Sequence, residues 1–251
     1  MVENSDHHPM LVNGTRLVPD PSGALWWPEA RCLVLADLHL EKGSALARRG
    51  ALLPPYDSRA SLIRLDRLIA RFEPARVICL GDTFHDPDAS GRLGREEAAR
   101  LAQMVAATEW HWILGNHDPR PPPGLGGAPS QVLRLGALIF RHEPASEAQA
   151  GEIAGHLHPK AAIRVRGRRL TGRAFLTDGM RLVMPAFGSY AGGLCALDPA
   201  FRSIFRHGFH AWIAGESRVV PVGSTRLEAF GAGAPILSSD RVHPGASRPG
   251  G

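Results

Sequence analysis

The sequence predicts an α/β (α+β) fold in which two packed β-sheets are flanked by helices. In the first half, short apolar runs alternate with segments whose apolar residues recur at helical spacing, as in parallel strands joined by helices. In the second half, short strand-like runs follow one another, separated by turns that contain Gly and Asp, which is typical of hairpins. The 251 residues are 44% hydrophobic and 21% charged, a composition that suits one soluble core.

Strands and helices alternate in the first half. Asp57 is positioned to cap a helix that continues to about Phe72, and a second helix is expected from Glu96 to Ala107. Three apolar runs predict buried strands: Cys32–Ala36, Val77–Leu80 and His111–Leu114.

Strands dominate the second half. Turns at 166–168 and 178–179 are expected to join neighbouring strands as hairpins. Five strand-like runs are predicted: Ala137–Phe140, Ala161–Val165, Arg173–Leu176, Arg181–Met184 and Arg218–Val222.

The chain is predicted to form a single domain over residues 9–230. Residues 1–8 and 231–251 are rich in polar residues, Gly and Pro and are expected to be flexible tails. We find no apolar run near the ~18–20 residues that cross a bilayer, and no secretory signal at the N-terminus. Three widely spaced cysteines in apolar runs favour buried reduced thiols. We therefore expect a cytoplasmic protein without a membrane partner.

The positive charge of the chain has two interpretations. A net charge of +5 and a pI near 9.7 fit a polyanionic partner such as nucleic acid. Only Lys42 and Lys160 are lysines, however, and the wealth of Arg, Ala, Gly and Pro is equally typical of a GC-rich genome.

Seven potential metal ligands occur in five short motifs, most of them directly after an apolar run. Asp37 and His39 are two residues apart, so at an extended strand end they would point to one side and hold one ion, and His156 and His158 have the same spacing. One carboxylate shared by two ions fixes their separation at about 3.5–4 Å, and imidazoles favour Mn, Fe or Zn over Ca or Mg. The seven candidate ligands are Asp37, His39, Asp82, Asn116, His142, His156 and His158.

Each motif is weak alone, because a D-x-H or H-x-H sequence is more often a polar turn than a ligand pair. Gly115-Asn116-His117-Asp118 is a rarer sequence, and the order of all five motifs argues against coincidence. The set predicts hydrolysis of a phosphate ester by water activated between two metal ions.

In this order the motifs resemble those of the calcineurin-like metallophosphoesterases, over about Arg31 to Ser189. The resemblance implies a four-layer αββα double β-sandwich. It also implies His117 as the general acid and Asp82 as the ligand shared by both ions. One ion would be held by Asp37, His39, Asp82 and His158, and the other by Asp82, Asn116, His142 and His156.

Two details indicate which branch of the calcineurin-like metallophosphoesterases the sequence resembles. His85 stands three residues after Asp82, where protein phosphatases of the family usually carry Asp, and this form resembles the nuclease subunits of double-strand-break repair complexes. Longer stretches, among them 36–43, 140–144 and 151–159, resemble the ligase-associated DNA-damage-response endonucleases. The ligase-associated family implies an ATP-dependent DNA ligase and a helicase as associated proteins. The likeness to the nuclease subunits implies His85 and His117 as the catalytic pair that acts on DNA phosphodiesters. We expect single-stranded or nicked DNA as the substrate.

Several residue roles stay open. His85 and Asp118 could orient His117 or accept local backbone hydrogen bonds. Arg164 and Arg166 would share one face of a hairpin and could lead substrate phosphates to the metals, or could be a solvated edge. Lys42 and Arg141 are nearest the ligands in sequence, and either is a candidate contact for substrate phosphate.

The sequence therefore predicts a two-metal-dependent phosphodiesterase, a DNA endonuclease of damage repair, with Mn(II) as the expected metal and Fe or Zn as alternatives. Its nearest alternative is a phosphodiesterase or phosphomonoesterase for small substrates such as cyclic nucleotides. A second alternative is a non-catalytic scaffold of a repair complex, although such scaffolds typically lose ligands and here none is missing.

Overall fold

A computed structural model of the chain describes residues 8–51, 54 and 56–231. Its first sheet has seven strands, which lie side by side in chain order. The first four strands pair antiparallel, and the remaining pairs are parallel. The strands are β1 Met10–Val12, β2 Thr15–Pro19, β3 Leu25–Trp27, β4 Cys32–Leu35, β5 Arg76–Leu80, β6 Glu109–Ile113 and β7 Ala128–Ser130.

The second sheet contains eight strands from the rest of the chain. They are β8 Val132–Leu135, β9 Leu138–Arg141, β10 Glu152–Ala154, β11 Lys160–Val165, β12 Arg168–Thr177, β13 Arg181–Val183, β14 His210–Ala214 and β15 Val219–Gly223. Their order is β15-β14-β12-β13-β10-β9-β8, and β11 pairs with β12 in a hairpin. Strand β10 is parallel to both of its neighbours, β9 and β13.

The helices cover the outer faces of the two sheets. They are α1 Lys42–Ala47, α2 Asp57–Phe72, α3 Arg95–Ala107 and α4 Pro199–Ile204, with single 3-10 turns at Ala89–Arg92 and Ser224–Arg226. Leu62, Leu65 and Leu101 of α2 and α3 are buried against the outer face of the first sheet, and Phe201 of α4 packs on the second.

A third apolar cluster lies between the sheets. Val34 and Ile78 of the first sheet meet Phe140, Ile153 and Phe175 of the second, all with no exposed surface. Helix, sheet, sheet and helix thus form four layers, and the predicted fold class is confirmed.

The predicted elements of the first half are found within one or two residues, but one detail differs. Asp57 does not cap its own helix: Tyr56 is the N-cap, and the buried Asp57 carboxylate accepts the backbone N–H of Gly43 at 2.9 Å. Strands β1 to β3, β7, β8, β10 and β14 were not predicted; each is only three to five residues long, too short for a clear sequence pattern.

The three cysteine thiols differ in burial. Cys32 and Cys79 are buried and Cys195 is half-buried, and all three are free. Burial raises the pKa of Cys32 to about 12. The predicted tails lie outside the described residues except for His8 and Gly231. Among the helices of the described part, none has the length and apolar character needed to cross a membrane.

Candidate metal centre

The seven predicted ligands lie in loops that follow five strands. The loop after β4 carries Asp37 and His39, and the loops after β5 and β6 carry Asp82 and Asn116. Because β4, β5 and β6 are parallel neighbours, their carboxyl ends lie at one edge of the sheet. The parallel strands β9 and β10 bring the loops of His142, His156 and His158 to the same edge of the second sheet.

The first group of ligands consists of Asp37, His39 and His158, whose ligand atoms all lie within 4.8 Å of one another. Nε2 of His39 is 3.2 Å from Nε2 of His158. Nε2 of His158 is in turn 3.3 Å from Oδ1 of Asp37. Two ring nitrogens and a carboxylate oxygen therefore point at a common position.

The second group consists of Asp82, His142 and His156, again within 4.8 Å of one another. Nε2 of His142 is 3.5 Å from Oδ2 of Asp82 and 3.1 Å from Nδ1 of His156. Asn116 joins this group, because its Oδ1 is 2.9 Å from the same nitrogen of His142.

Asp82 connects the two groups. Its Oδ2 lies 3.8 Å from Nε2 of His39 and 3.5 Å from Nε2 of His142, so one carboxylate oxygen faces both. Asp82 has the position of a shared ligand, and all seven predicted residues are brought together.

These residues fit two divalent cations. Oδ1 of Asp37 is fully buried and accepts no hydrogen bond from the described residues. An uncompensated buried carboxylate oxygen is costly unless it binds a cation. Nδ1 of His142 donates to the carbonyl of Leu80 at 2.8 Å, which leaves its Nε2 lone pair free for a metal.

Burial favours the neutral form of two of the ligand imidazoles, those of His39 and His156. It lowers the pKa of His39 to about 2, although the Asp37 carboxylate opposes this shift. Burial likewise lowers the pKa of His156, with a further contribution from His142. For Asp37, burial would raise the pKa, but His158, His142 and His39 more than offset it and the pKa is lowered. Neutral imidazoles beside ionised carboxylates are the forms that bind metal.

The ligand loops have an unexpected backbone conformation. Five ligands have positive φ angles: Asp37 (52°), His39 (45°), Asp82 (46°), His156 (69°) and His158 (47°). The expectation that each ligand pair projects from an extended strand end was therefore wrong, since the strands end at Leu35 and Ala154. Left-handed conformations in non-glycine residues cost free energy and often cluster at functional sites.

Two glycines allow the loops to approach one another. A Cβ on Gly115 would lie 2.2 Å from Oδ1 of Asp82, and one on Gly155 would lie 2.5 Å from Oδ2 of Asp37. Both distances are below van der Waals contact, so only glycine fits at these positions.

Asp118 holds the loop of Asp82 in place. Its carboxylate accepts the backbone N–H groups of Asp82 (2.9 Å), Thr83 (2.8 Å), Phe84 (3.2 Å) and Gly115 (3.2 Å). Of the two interpretations left open for Asp118, the structure therefore favours local backbone hydrogen bonding.

His117 and His85 lie on the open side of the centre. Nδ1 of His117 donates to the backbone carbonyl of His85 at 2.6 Å, and its Nε2 is 4.0 Å from Oδ2 of Asp82. The two imidazole rings stack with centroids 5.3 Å apart. Burial, followed by the charge of Lys42, lowers the pKa of His85 to about 4. The His117 ring therefore has a hydrogen bond to the backbone of His85 and a stacking contact with its side chain.

The candidate phosphate contacts differ in their surroundings. Lys42 is half-buried at the start of α1, and its charge acts on both His39 and His85. Arg141 is half-buried, with Nε 3.4 Å from Oε1 of Glu152. Arg164 is exposed and binds both carboxylate oxygens of Glu228, at 2.8 and 3.2 Å.

Arg166 lies outside strand β11, in the turn with a φ of 49°, so the expected alternation with Arg164 ends before it. Lys160, which the sequence did not single out as a site residue, comes two residues after His158.

Two cavities are lined in part by candidate ligands. One, of about 390 Å³, is lined by Asn116, His142 and Arg141, among others. The other, of about 340 Å³, is lined by His156, Glu143 and Arg206, among others.

The fold and the paired ligand groups define a metal-dependent phosphoester hydrolase with a dinuclear divalent metal site. The model of the calcineurin-like phosphoesterase family matches residues 30–174, and the chain belongs to this family.

Two solved structures are similar to the chain to different extents. The crystal structure of the Pseudomonas putida nuclease MPE matches with a TM-score of 0.68 and 28% identity, covering 86% of this chain and 100% of that one. YfcE, a phosphoesterase from E. coli, matches with a TM-score of 0.38 and 16% identity over 76% of this chain and 98% of that one. No curated protein matches the sequence significantly.

Proposed function

We propose that this protein is a Mn(II)-dependent phosphodiesterase that cuts single-stranded or nicked DNA endonucleolytically during DNA repair. The family supports phosphoester hydrolysis, and the likeness to a nuclease over 86% of the chain supports a nucleic acid substrate. Manganese is the proposed metal because the donor set mixes imidazole nitrogens with carboxylate and amide oxygens. Fe and Zn are the alternatives.

The observation that carries the proposal is the position of His117. Its backbone N–H donates to Oδ1 of Asp82 at 2.9 Å, and its Nδ1 is held by the His85 carbonyl. The ring is thereby fixed with Nε2 toward the metal ligands, while 39% of the side chain stays exposed to a substrate. This position supports a role for His117 as proton donor to a leaving oxygen.

The residues divide the reaction between them. Two divalent ions, when bound, supply activation of water and charge neutralisation at the phosphoryl group. Asp37, His39 and His158 would hold one ion, Asn116, His142 and His156 the other, and Asp82 both. His117, protonated at Nε2, would give its proton to the departing oxygen as the phosphorus–oxygen bond breaks.

The proposed function also includes contacts to substrate phosphate, two associated proteins and a cellular location. Lys42 and Arg141, half-buried beside the ligands, are the proposed contacts to substrate phosphate, with Arg164 and Arg166 more remote candidates. An ATP-dependent DNA ligase and a helicase are proposed as associated proteins, and a cytoplasmic location is proposed on the basis of the sequence alone.

A panel of substrates tests the proposed function. Purified protein with added Mn(II) would be assayed on a single-stranded oligonucleotide, a cyclic nucleotide, a phosphomonoester and bis(p-nitrophenyl) phosphate. We expect internal cleavage of the oligonucleotide and little hydrolysis of the cyclic nucleotide or monoester. Preference for either of these small substrates would instead identify a small-molecule phosphoesterase.

The variant His117→Ala completes the test. It should retain its metal, measured by elemental analysis, while hydrolysis falls by roughly 10²–10⁴-fold. Normal turnover in this variant would refute the role of His117. Failure of the wild-type protein to bind metal under Mn(II) saturation would instead favour a non-catalytic scaffold.

A further inference from the structure

The cavity of about 340 Å³ has the candidate metal ligand His156 in its lining. On one side it is lined by the loop after β9, including Pro144 and Ala145. On another side it is lined by α4 and the residues just after it, including Ile204 and Arg206. Because His156 belongs to the second ligand group, a chemical group bound in this cavity would lie beside the substrate phosphate.

Both walls of the cavity are held by one buried ion pair. Nη2 of Arg181 donates to the carbonyl of Ala145 at 2.7 Å, and Nη1 of Arg181 donates to the carbonyl of Ile204 at 3.4 Å. Glu152, the partner of Arg181, accepts the backbone N–H of Ala145 at 2.8 Å. Beyond Ile204, the side chain of Phe205 is buried in the apolar cluster of α4 and the second sheet. Buried contacts therefore fix the separation of the two walls.

The lining combines apolar side chains with two groups of opposite charge. Pro144, Leu157 and Ile204 are half-buried. Arg206 is exposed, and its guanidinium has no hydrogen bond or ion pair with any residue that the structure describes. Glu143 is exposed as well. Apolar walls with one donor group and one acceptor group suit a nucleobase, whose edge carries both acceptors and donors, whereas a phosphate would be repelled by Glu143.

We infer that this cavity is the subsite for the base of a nucleotide next to the phosphate that is cut. The inference rests on the proposed nuclease function and deepens it, because a base subsite would select nucleic acids among phosphodiesters. Arg206 would donate to the carbonyl or ring-nitrogen acceptors of the base, and Leu157 and Ile204 would contact its faces.

Three chromogenic diesters with the same leaving group test the subsite. They are the p-nitrophenyl esters of thymidine 5′-phosphate and of thymidine 3′-phosphate, and methyl p-nitrophenyl phosphate, which carries no base. With added Mn(II), the wild-type protein should hydrolyse at least one thymidine ester with a kcat/KM about tenfold or more above that of the methyl ester. Cleavage of a single-stranded oligonucleotide is measured on the same sample.

Two variants of the cavity should reduce this preference. Arg206→Gln removes the donor and Ala200→Leu fills the cavity from α4, and each should lower kcat/KM on the preferred thymidine ester by about tenfold. The loss on the methyl ester should be at least fivefold smaller. Metal content, measured by elemental analysis, should equal that of the wild-type protein, which separates a lost base contact from a lost ion.

The matched control is Arg202→Gln, which removes an exposed arginine of α4 that does not line the cavity. It should leave the preference for the thymidine ester unchanged. Equal losses on the thymidine and methyl esters for both cavity variants, or the same effect for Arg206→Gln and Arg202→Gln, would overturn the subsite while the nuclease function stands. A wild-type protein that cuts the oligonucleotide but prefers neither thymidine ester would do the same. A wild-type protein that leaves the oligonucleotide intact would overturn the nuclease function and, with it, the subsite.

Discussion

Oδ1 of Asp118 accepts the backbone N–H of Asp82 at 2.9 Å, so the proposed shared ligand is positioned by a carboxylate that is not itself one of the seven candidate ligands. The same carboxylate also accepts N–H groups of Thr83, Phe84 and Gly115. It thereby joins the loop after β5 to the loop after β6. The two loops that supply Asp82 and Asn116 thus behave as one unit.

Replacement of Asp118 by Asn tests this unit. The amide would present its NH₂ group to two of the four backbone N–H donors, and those hydrogen bonds would be lost. We expect a 10–100-fold loss of Mn(II) affinity, as is typical for residues that support metal ligands. Metal titration followed by activity measures this. The control is Asp88→Asn, which changes an exposed carboxylate in the segment after β5 and should bind metal normally.

Replacement of Gly115 by Ala tests the close approach of the loops. A methyl group there would overlap the Asp82 carboxylate and its backbone nitrogen, at 2.2 and 2.3 Å, so the loop must shift. We expect metal content and activity to fall together by at least about tenfold. Gly91→Ala adds the same methyl group where no atom lies within 4 Å, and should have little effect. A fully metallated, active Gly115→Ala would show that the loops tolerate separation.

The sequence predicted the elements that hold the site better than the local shape of the site. Strands β4 and β5 and helices α2 and α3 were predictable because their apolar residues recur regularly over buried faces. The convergence of the ligands was also predictable, because the carboxyl ends of neighbouring parallel strands lie at one edge of a sheet.

Two features depend on tertiary contacts and were not predictable. The left-handed conformations of Asp37 and His156 are imposed by neighbouring loops: the backbone N–H of His156 donates to Oδ2 of Asp37 across 119 residues of sequence. Similarly, the ion pair of Arg164 with Glu228 spans 64 residues, and no local sequence pattern predicts it. The sequence alone could therefore not distinguish an arginine that is free to bind phosphate from one that is already paired.

The buried pair of Glu152 and Arg181 gives a prediction about stability. These residues are partners in the parallel ladder of β10 and β13, and each side chain is at most 3% exposed. Nε of Arg181 donates to Oε2 of Glu152 at 2.7 Å, and Nη2 of Arg181 donates to the carbonyl of Ala145. Glu152→Gln would leave the Arg181 charge buried without a counter-ion, which costs about 3–5 kcal/mol of unfolding free energy.

The surface pair of Asp66 and Arg100 provides the matched comparison. Both side chains are more than 40% exposed, so Asp66→Asn should cost about 0–1 kcal/mol. Urea unfolding of the metal-free protein measures the free energy of unfolding of both variants. If the slope of this free energy against urea concentration is unchanged, a shift in the unfolding midpoint reports a change in stability. Because β10 leads directly into His156, Glu152→Gln should also weaken metal binding, whereas Asp66→Asn should not. Equal stability of the two variants would mean that water or a neighbouring group compensates the Arg181 charge.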